Sequence, residues 1–331
     1  MDRVGDIPLM KSLVRRTRAN VITVEKQKLL DAATVISQAP EDAEASFLAR
    51  QLVQCTLPHS NPGNVEAWER RNGNLTLVIR SGWDSENRAP IGYPYGSLPR
   101  LLLFWVTTEA IRTKNRRLAL GHSLSEFMRQ LGLVPASAGG GKRSDAKRLQ
   151  DQMRRLFRAL ISFEINTRAP ERHGTSWLDM QVAPKGEFWW DPKSPGQGAL
   201  WGSWIELGEE FYKAITVAPV PLDLRALRAL KRSPLALDLY ALAAYKAFMA
   251  NKAGAQFIPW DGLLRQLGAD YDPERIDNFK GKAKITLRKV SAVFPGGLKH
   301  TWTRNGLTFL PGTRLAISPR QQAQQVLASG E

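Results

Sequence analysis

The chain has little of what most catalytic and metal sites are made from. One cysteine, Cys55, stands in 331 residues, so neither a disulfide framework nor a zinc cluster can be assembled within it, and a reducing cytoplasm is the expected compartment. The four histidines, His59, His122, His173 and His300, are scattered without the close spacing of a metal site. Apolar runs are short: LLLFWV at 101–106 falls far below the roughly 20 residues that span a bilayer. An export signal is also missing, because Asp2, Arg3 and Asp6 break up the start and no apolar segment with a small-residue cleavage site follows. No metal, cofactor or membrane anchor is expected.

Acidic residues are the next shortage. Asp and Glu number 31 against 47 Lys and Arg, a net charge of +16 with a pI near 10.2. That excess is beyond what solubility needs and points to a polyanionic partner. A basic but inert surface is the plain alternative, and an anionic membrane surface a third. Apolar residues at 43% and charged residues at 24% are globular proportions. A length of 331 residues exceeds the roughly 250 at which single cores stop growing, so two domains are expected.

What the chain does have is a duplication. Met128-Arg129-Gln130-Leu131-Gly132 is echoed by Leu264-Arg265-Gln266-Leu267-Gly268, an offset of 136 residues. At the same offset Ser97 falls on Ser233, Leu103 on Leu239 and Phe104 on Tyr240. Order, spacing and helix type agree over about 60 positions, more than chance supplies.

Each half spells the same series of elements. Ser97 and Pro99 open a helix to about residue 112, with Ser97 as its expected N-cap. A short strand is expected at 117–120. Ser123-Leu-Ser-Glu126 forms a capping box that starts a helix ending near Gly132. A third helix is expected from about 145 to 161, and strands follow as SFEINT, WLDMQV and GEFWW, with LWGSWIEL as a fourth candidate. In the second half a helix starts at Ser233-Pro234. A strand at 256–258, a helix at 260–267, and a helix opened by Asp272-Pro273 and running to about 294 come next. Alternation on both sides of Asn305-Gly306 marks a hairpin. Helix, strand, helix, helix, hairpin is the winged-helix order, so the fold expected is α+β with tandem winged-helix domains, helix-turn-helix plus β-hairpin wings.

The third helix of each half is the candidate for reading DNA. In the first, Leu149, Met153, Leu156, Phe157, Leu160 and Ile161 fall within about 140° on a helical wheel, and Lys147, Arg148, Asp151, Arg154, Arg155 and Arg158 lie opposite. Lys142 and Arg143 in the preceding loop add charge. In the second, Ile276, Phe279, Ala283, Leu287, Val290 and Phe294 form the buried stripe, leaving Lys280, Lys282, Lys284, Arg288 and Lys289. Arginine bridges guanine O6 and N7 in a major groove, and lysine chiefly neutralises phosphate. Solvated charged faces are common on single surface helices; two of like sign in the same place of a repeat favour DNA. Arg304 at the hairpin tip is the candidate contact to a minor groove or phosphates. Trp177, Trp189, Trp190, Trp201 and Trp204 are placed by alternation against the helices, with stacking on unpaired bases as the other use.

Catalytic readings fail on the residues. Gly139-Gly-Gly-Lys142 falls short of a phosphate-binding loop, since Ala136 stands where the first glycine belongs and Arg143 where a hydroxyl should follow. A strand-nicking centre would pair Tyr93 or Tyr95 with clustered histidines, which are missing. Asp270 with Asp272, and Glu209 with Glu210, are accounted for by capping and surface charge. No enzyme activity is expected.

The segments LVQCTLPH at 52–59, ERRNGNLTLVIRSG at 69–82 and above all GYPYGSLPRLLLFWVTTEAIRTKNRRLALGHSLSEFMRQLGL at 92–133 resemble the plasmid-encoded RepA-type replication initiators, over roughly residues 45–311. The resemblance implies binding to direct repeats (iterons) at a plasmid origin, opening of an adjacent A·T-rich segment, and recruitment of host replication proteins such as the replicative helicase. It also implies, for many members, repression of their own gene. A winged-helix transcriptional repressor without initiator activity is the alternative. A homodimer is carried as a candidate assembly, although no sustained heptad in residues 1–55 places its interface. The division expected is a basic, partly helical segment at 1–60, a first winged-helix domain at 61–215 with an added hairpin at Asn72-Gly73, a second at 216–318, and a polar tail at 319–331. Two recognition helices on successive grooves predict a site of about 20 base pairs contacted on one face.

Overall fold

Thr23 accepts the Lys26 amide at 3.3 Å, which starts helix α1 (Val24–Gln38). The computed structural model describes residues 23–135, 145–169, 172–189, 202–268 and 271–317. Strand β1 (Ala45–Ala49) and the short α2 (Arg50–Gln54) follow. Next comes the hairpin of β2 (Trp68–Asn72) and β3 (Leu75–Arg80), whose tight turn uses Gly73 at φ 61°, a backbone region that glycine reaches without strain. A small hairpin, β4 (Trp83–Asp84) and β5 (Ala89–Pro90), completes the lead-in.

The first unit then runs α3 (Ser97–Thr113), β6 (Arg117–Gly121), α4 (Leu124–Gln130) and α5 (Asp145–Phe157). A long hairpin, β7 (Leu160–Ala169) and β8 (Arg172–Gln181), precedes the short strands β9 (Lys185–Glu187) and β10 (Ser203–Glu206). A bridge of α6 (Glu209–Thr216), β11 (Pro219–Asp223) and α7 (Leu224–Leu230) leads to the second unit. That unit consists of α8 (Pro234–Ala253), β12 (Gln256–Pro259), α9 (Trp260–Leu267), a 3-10 turn at Pro273–Arg275, α10 (Ile276–Ala292), β13 (His300–Trp302) and β14 (Gly306–Phe309).

The duplication read from the sequence is present in the topology. One small antiparallel sheet has the order β6-β10-β9 and the other β12-β14-β13. In both, the strand after the long first helix pairs with the last strand of the unit, which carries the middle strand on its other edge. The second helices begin at Leu124 and Trp260, at the expected offset of 136. In the third helices the buried residues Leu149, Met153 and Leu156 correspond to Ala283, Leu287 and Val290, an offset of 134, so the turn before the second of these helices is two residues shorter.

Several local expectations are corrected. SFEINT and WLDMQV do not share a sheet with the GEFWW segment: β7 and β8 join β2 and β3 in a four-stranded sheet of order β2-β3-β7-β8. Strand β3, LTLVIR, has its first five residues all buried, as in a strand covered on both faces, and it lies inside the sheet with β2 on one edge and β7 on the other. Leu160 and Ile161, expected at the end of the third helix, are the first residues of β7, with Ile161 buried opposite Ile79. Ser97 is the first helical residue rather than the cap, which is Gly96, whereas Ser233 does cap, accepting the Ala236 amide at 3.2 Å. Glu126 reaches back to the amide of His122, one residue before the capping Ser123. Asp272 caps the 3-10 turn, so the helix proper starts at Ile276.

A continuous apolar core runs through both units. Strand β1 pairs with β11, from Ala45 opposite Asp223 to Ala49 opposite Pro219, which sews the lead-in to the bridge. Helices α3 and α8, the first of each unit, pack against one another. At their contact Arg100 binds Asp238, and Asp238 also accepts His59 Nε2 at 2.8 Å.

Candidate nucleic-acid interface

Helix α10 buries Phe279, Ala283, Thr286, Leu287 and Val290 against α8 and α9. Its opposite side turns Asn278, Gly281, Lys282, Ile285, Arg288 and Lys289 to solvent. Among the described residues, Lys282, Arg288 and Lys289 enter no ion pair, so their charge is available to a partner. Two neighbouring cations are committed. Lys280 pairs with Asp277 at 3.0 Å, and Lys284 points at the rings of Trp260 and Trp302, 5.5 and 6.0 Å from their centres, where its charge is held by the ring faces.

The hairpin of β13 and β14 stands beside this helix with Arg304 exposed at its tip. Its turn is not the type expected from Asn-Gly. Neither Asn305 nor Gly306 has a positive φ, as a type I′ turn requires, and the Thr303 amide instead donates to the Gly306 carbonyl at 2.9 Å. Gly306 is needed for packing: a side chain there would strike the Ile258 carbonyl and lie 2.6 Å from the Phe257 ring.

Helix α5 presents a different outer surface. Lys147, Arg148, Arg154 and Arg158 are exposed, but residues 83–95 lie along the helix and occupy several of its cations. Arg154 Nη2 reaches Asp84 at 3.0 Å, and Arg158 Nη2 donates to the Trp83 carbonyl at 3.2 Å. Arg155, 17% exposed, binds Asp151 at 2.8 Å. It also donates to the Tyr93 carbonyl at 3.4 Å and sits 5.4 Å from the Tyr95 ring centre. Asp84 is held down to about 2 by the Asn87 amides first and then by Arg154. Arg148 pairs with Asp145 at 3.2 Å. Lys142 and Arg143 lie outside the described residues.

The geometry thus gives two third helices, one whose outer cations have no acidic partner among the described residues and one whose cations partly clamp a neighbouring loop. The family model described as plasmid encoded RepA protein matches residues 93–262, just over half of the 331 residues. The chain belongs to this family of plasmid-encoded, RepA-type replication initiators. The matched block opens two residues after Ile91 and spans the whole first unit of this RepA-family chain, ending inside α9, so α10 lies beyond it. The crystal structure of domains 2 and 3 of RctB is similar at a TM-score of 0.43 and 11% identity, over 83% of this chain and 98% of that one. No curated protein matches the chain. No helix among the described residues is long and apolar enough to cross a membrane.

The tryptophans of the first unit depart from the expected packing. Trp177 and Trp189 are 69% and 52% exposed; β8, which carries Trp177, is an edge strand, and at the end of β9 it is Phe188 whose ring stacks on the helix, against Phe157 of α5. Trp204 is half-buried, with Arg117 stacked 3.8 Å above its ring. Trp190 and Trp201 lie outside the described residues. The contact missed in the sequence is the join between Arg100 and Asp238. Its signal was a charge inside each of two otherwise apolar stretches, LPRLLLFW and PLALDLYA.

Proposed function

We propose that the chain is a plasmid replication initiator that binds repeated double-stranded sites at its origin through two winged-helix units. The observation that carries this is the repeated set of three helices closed by a three-stranded sheet of one order, ending in a third helix with cations on its outer side. In the second unit α10 enters the major groove, with Lys282 and Lys289 on phosphates and Arg288 within reach of a guanine edge. Arg304 on the wing follows the neighbouring backbone. The first unit lies on the next groove through Lys147, Arg148 and the exposed parts of Arg154 and Arg158, with Arg155 as a buttress, while Lys280 and Lys284 support α10 from its sides.

Strand opening in an adjacent A·T-rich segment draws on binding and bending energy and on host ATPases, since the chain carries no phosphate-binding loop. Host helicase recruitment and a homodimer belong to the same proposal, and the protein itself is no enzyme. Hydroxyl-radical footprinting of the purified chain on its origin tests the binding. Protection over repeats of about 20 base pairs, phased by one helical turn on one face, is expected; uniform coating of the fragment would refute sequence-specific binding. A repressor without initiator activity would leave the same footprint. It would then fail to maintain, from a gene in trans, a plasmid carrying the origin alone.

A further inference from the structure

The outer strip of α10 contains two residues for which the interior of the chain gives no reason. On a wheel of 100° per residue, Gly281, Ile285 and Asn278 occupy the middle of the strip, Lys282 and Lys289 flank it on one side and Arg288 on the other. Ile285 is 55% exposed, at the place on an amphipathic helix where solvent favours a polar residue. One turn earlier is Gly281, a residue that weakens helix interiors. Its backbone is not left-handed, and a methyl group placed on it would meet nothing within 4 Å. Neither a turn nor internal crowding therefore calls for glycine here.

Both choices make sense if an outside surface is pressed onto this strip. Glycine lets that surface approach the helix backbone, and isoleucine gives it an apolar contact. The surface must also be anionic at its margins, because three cations border the strip. A protein interface is the poorer fit, since lysine, which supplies two of the three bordering cations, is depleted at such interfaces relative to the rest of a protein surface. DNA fits, and its major groove offers one apolar feature, the 5-methyl group of thymine. The other base edges carry donors and acceptors that isoleucine would leave unpaired, at a cost.

We infer that Gly281 and Ile285 together form a seat for a thymine methyl group, making them specificity-determining residues at the centre of the half-site read by α10. The inference rests on the DNA-binding function proposed above and names the base that it reads. To test it, the full chain selects its site from a randomised duplex library, and each thymine of the selected duplex is replaced in turn by deoxyuridine, which lacks only the methyl. One position should lose about fourfold in affinity, the worth of one buried methyl. Ile285→Ala should lose about as much on the thymine duplex and be indifferent to deoxyuridine at that position. Gly281→Ala should raise the thermal midpoint yet weaken binding. Deoxyuridine tolerated at every position, or losses from Ile285→Ala and deoxyuridine that multiply, would overturn the thymine seat. Lys282→Ala and Lys289→Ala separate the two levels: if they weaken binding while deoxyuridine is silent, only the seat fails. If they change neither affinity nor salt dependence, α10 does not reach DNA, and both the seat and the assigned role of α10 fail.

Discussion

Arg100 and Asp238 join the first helices of the two units through a two-pronged contact, Nε to Oδ1 and Nη2 to Oδ2, each 2.7 Å long. The remaining guanidinium donors are taken by the carbonyls of Leu57, Pro58 and Gly96 at 2.6, 3.0 and 2.7 Å. The ion pair is therefore fully satisfied inside the protein, the condition under which a buried pair persists. Each first helix packs on the third helix of its own unit, so the pair joins the two scaffolds that carry the proposed DNA contacts.

Removing one partner should be costly. Arg100→Ala leaves a buried carboxylate without its cation, and a loss of about 3–5 kcal/mol is expected in urea unfolding. The pH dependence has a defined sign. Burial would raise the Asp238 pKa, but Arg100 and then His59 overcome this and hold it at about 2, below the ordinary 3.8. A carboxylate with a depressed folded pKa contributes stability that is present above pH 3.8 and fades as pH falls toward 2. Asp238→Asn should flatten the fall in stability across that window; an unchanged acid limb would show that the pair does not act as described.

Cys55 should be chemically silent. It is fully buried, and burial pushes its thiol up to about 12 against the pull of the Arg70 charge and the Leu77 amide. At pH 8 only about one thiol in ten thousand would be ionised, and the thiolate is the reactive form. A disulfide reagent should give no signal with the native chain and one equivalent after denaturation. Rapid reaction of the folded protein would contradict the burial.

How far the sequence could be read depended on the range of the interactions. The duplication, the bounds of α9 and the hairpin around Asn305 rest on periodicity and on residues a few positions apart, and they were legible. The partner of a strand is a non-local matter. Nothing within LISFEINT announces that Leu75–Arg80 lies beside it, so alternation alone assigns the long hairpin to the wing of the first unit. The candidate interface divides in the same way. The cations of α5 and α10 were visible on a wheel, but Arg154 meets Asp84 from 70 residues away, and only the folded chain shows that this charge is already engaged.

Gly306 offers a test of the packing of the second small sheet. A side chain at this position collides with the backbone of Ile258 and the ring of Phe257, residues of β12 whose partners in β14 are Leu307 and Thr308. Gly306→Ala should destabilise the chain by about 1–3 kcal/mol, the range for overpacking a rigid contact, measured by thermal unfolding. Phe257→Ala in the same chain should recover part of that loss by clearing the ring. Absence of any rescue would mean that the backbone clash alone decides the cost.

The two third helices should respond differently to the removal of a cation. Lys282 and Lys289 are exposed and enter no ion pair among the described residues, so replacing either by alanine should leave the unfolding midpoint unchanged. Each replacement should reduce the slope of log affinity against log salt by about 1, the signature of one phosphate that is no longer neutralised. Arg288→Ala should cost about 1–3 kcal/mol on the selected site, and less on random duplex, if its guanidinium meets a base. Arg155 is the contrasting case, because its donors are bound to Asp151 and the Tyr93 carbonyl. Arg155→Ala should cost about 1–2 kcal/mol of folding stability through those hydrogen bonds and leave the salt slope where it was. A slope reduced by a full unit in Arg155→Ala, and unchanged in Lys282→Ala, would reverse the roles assigned to the two helices and place the main DNA contact in the first unit.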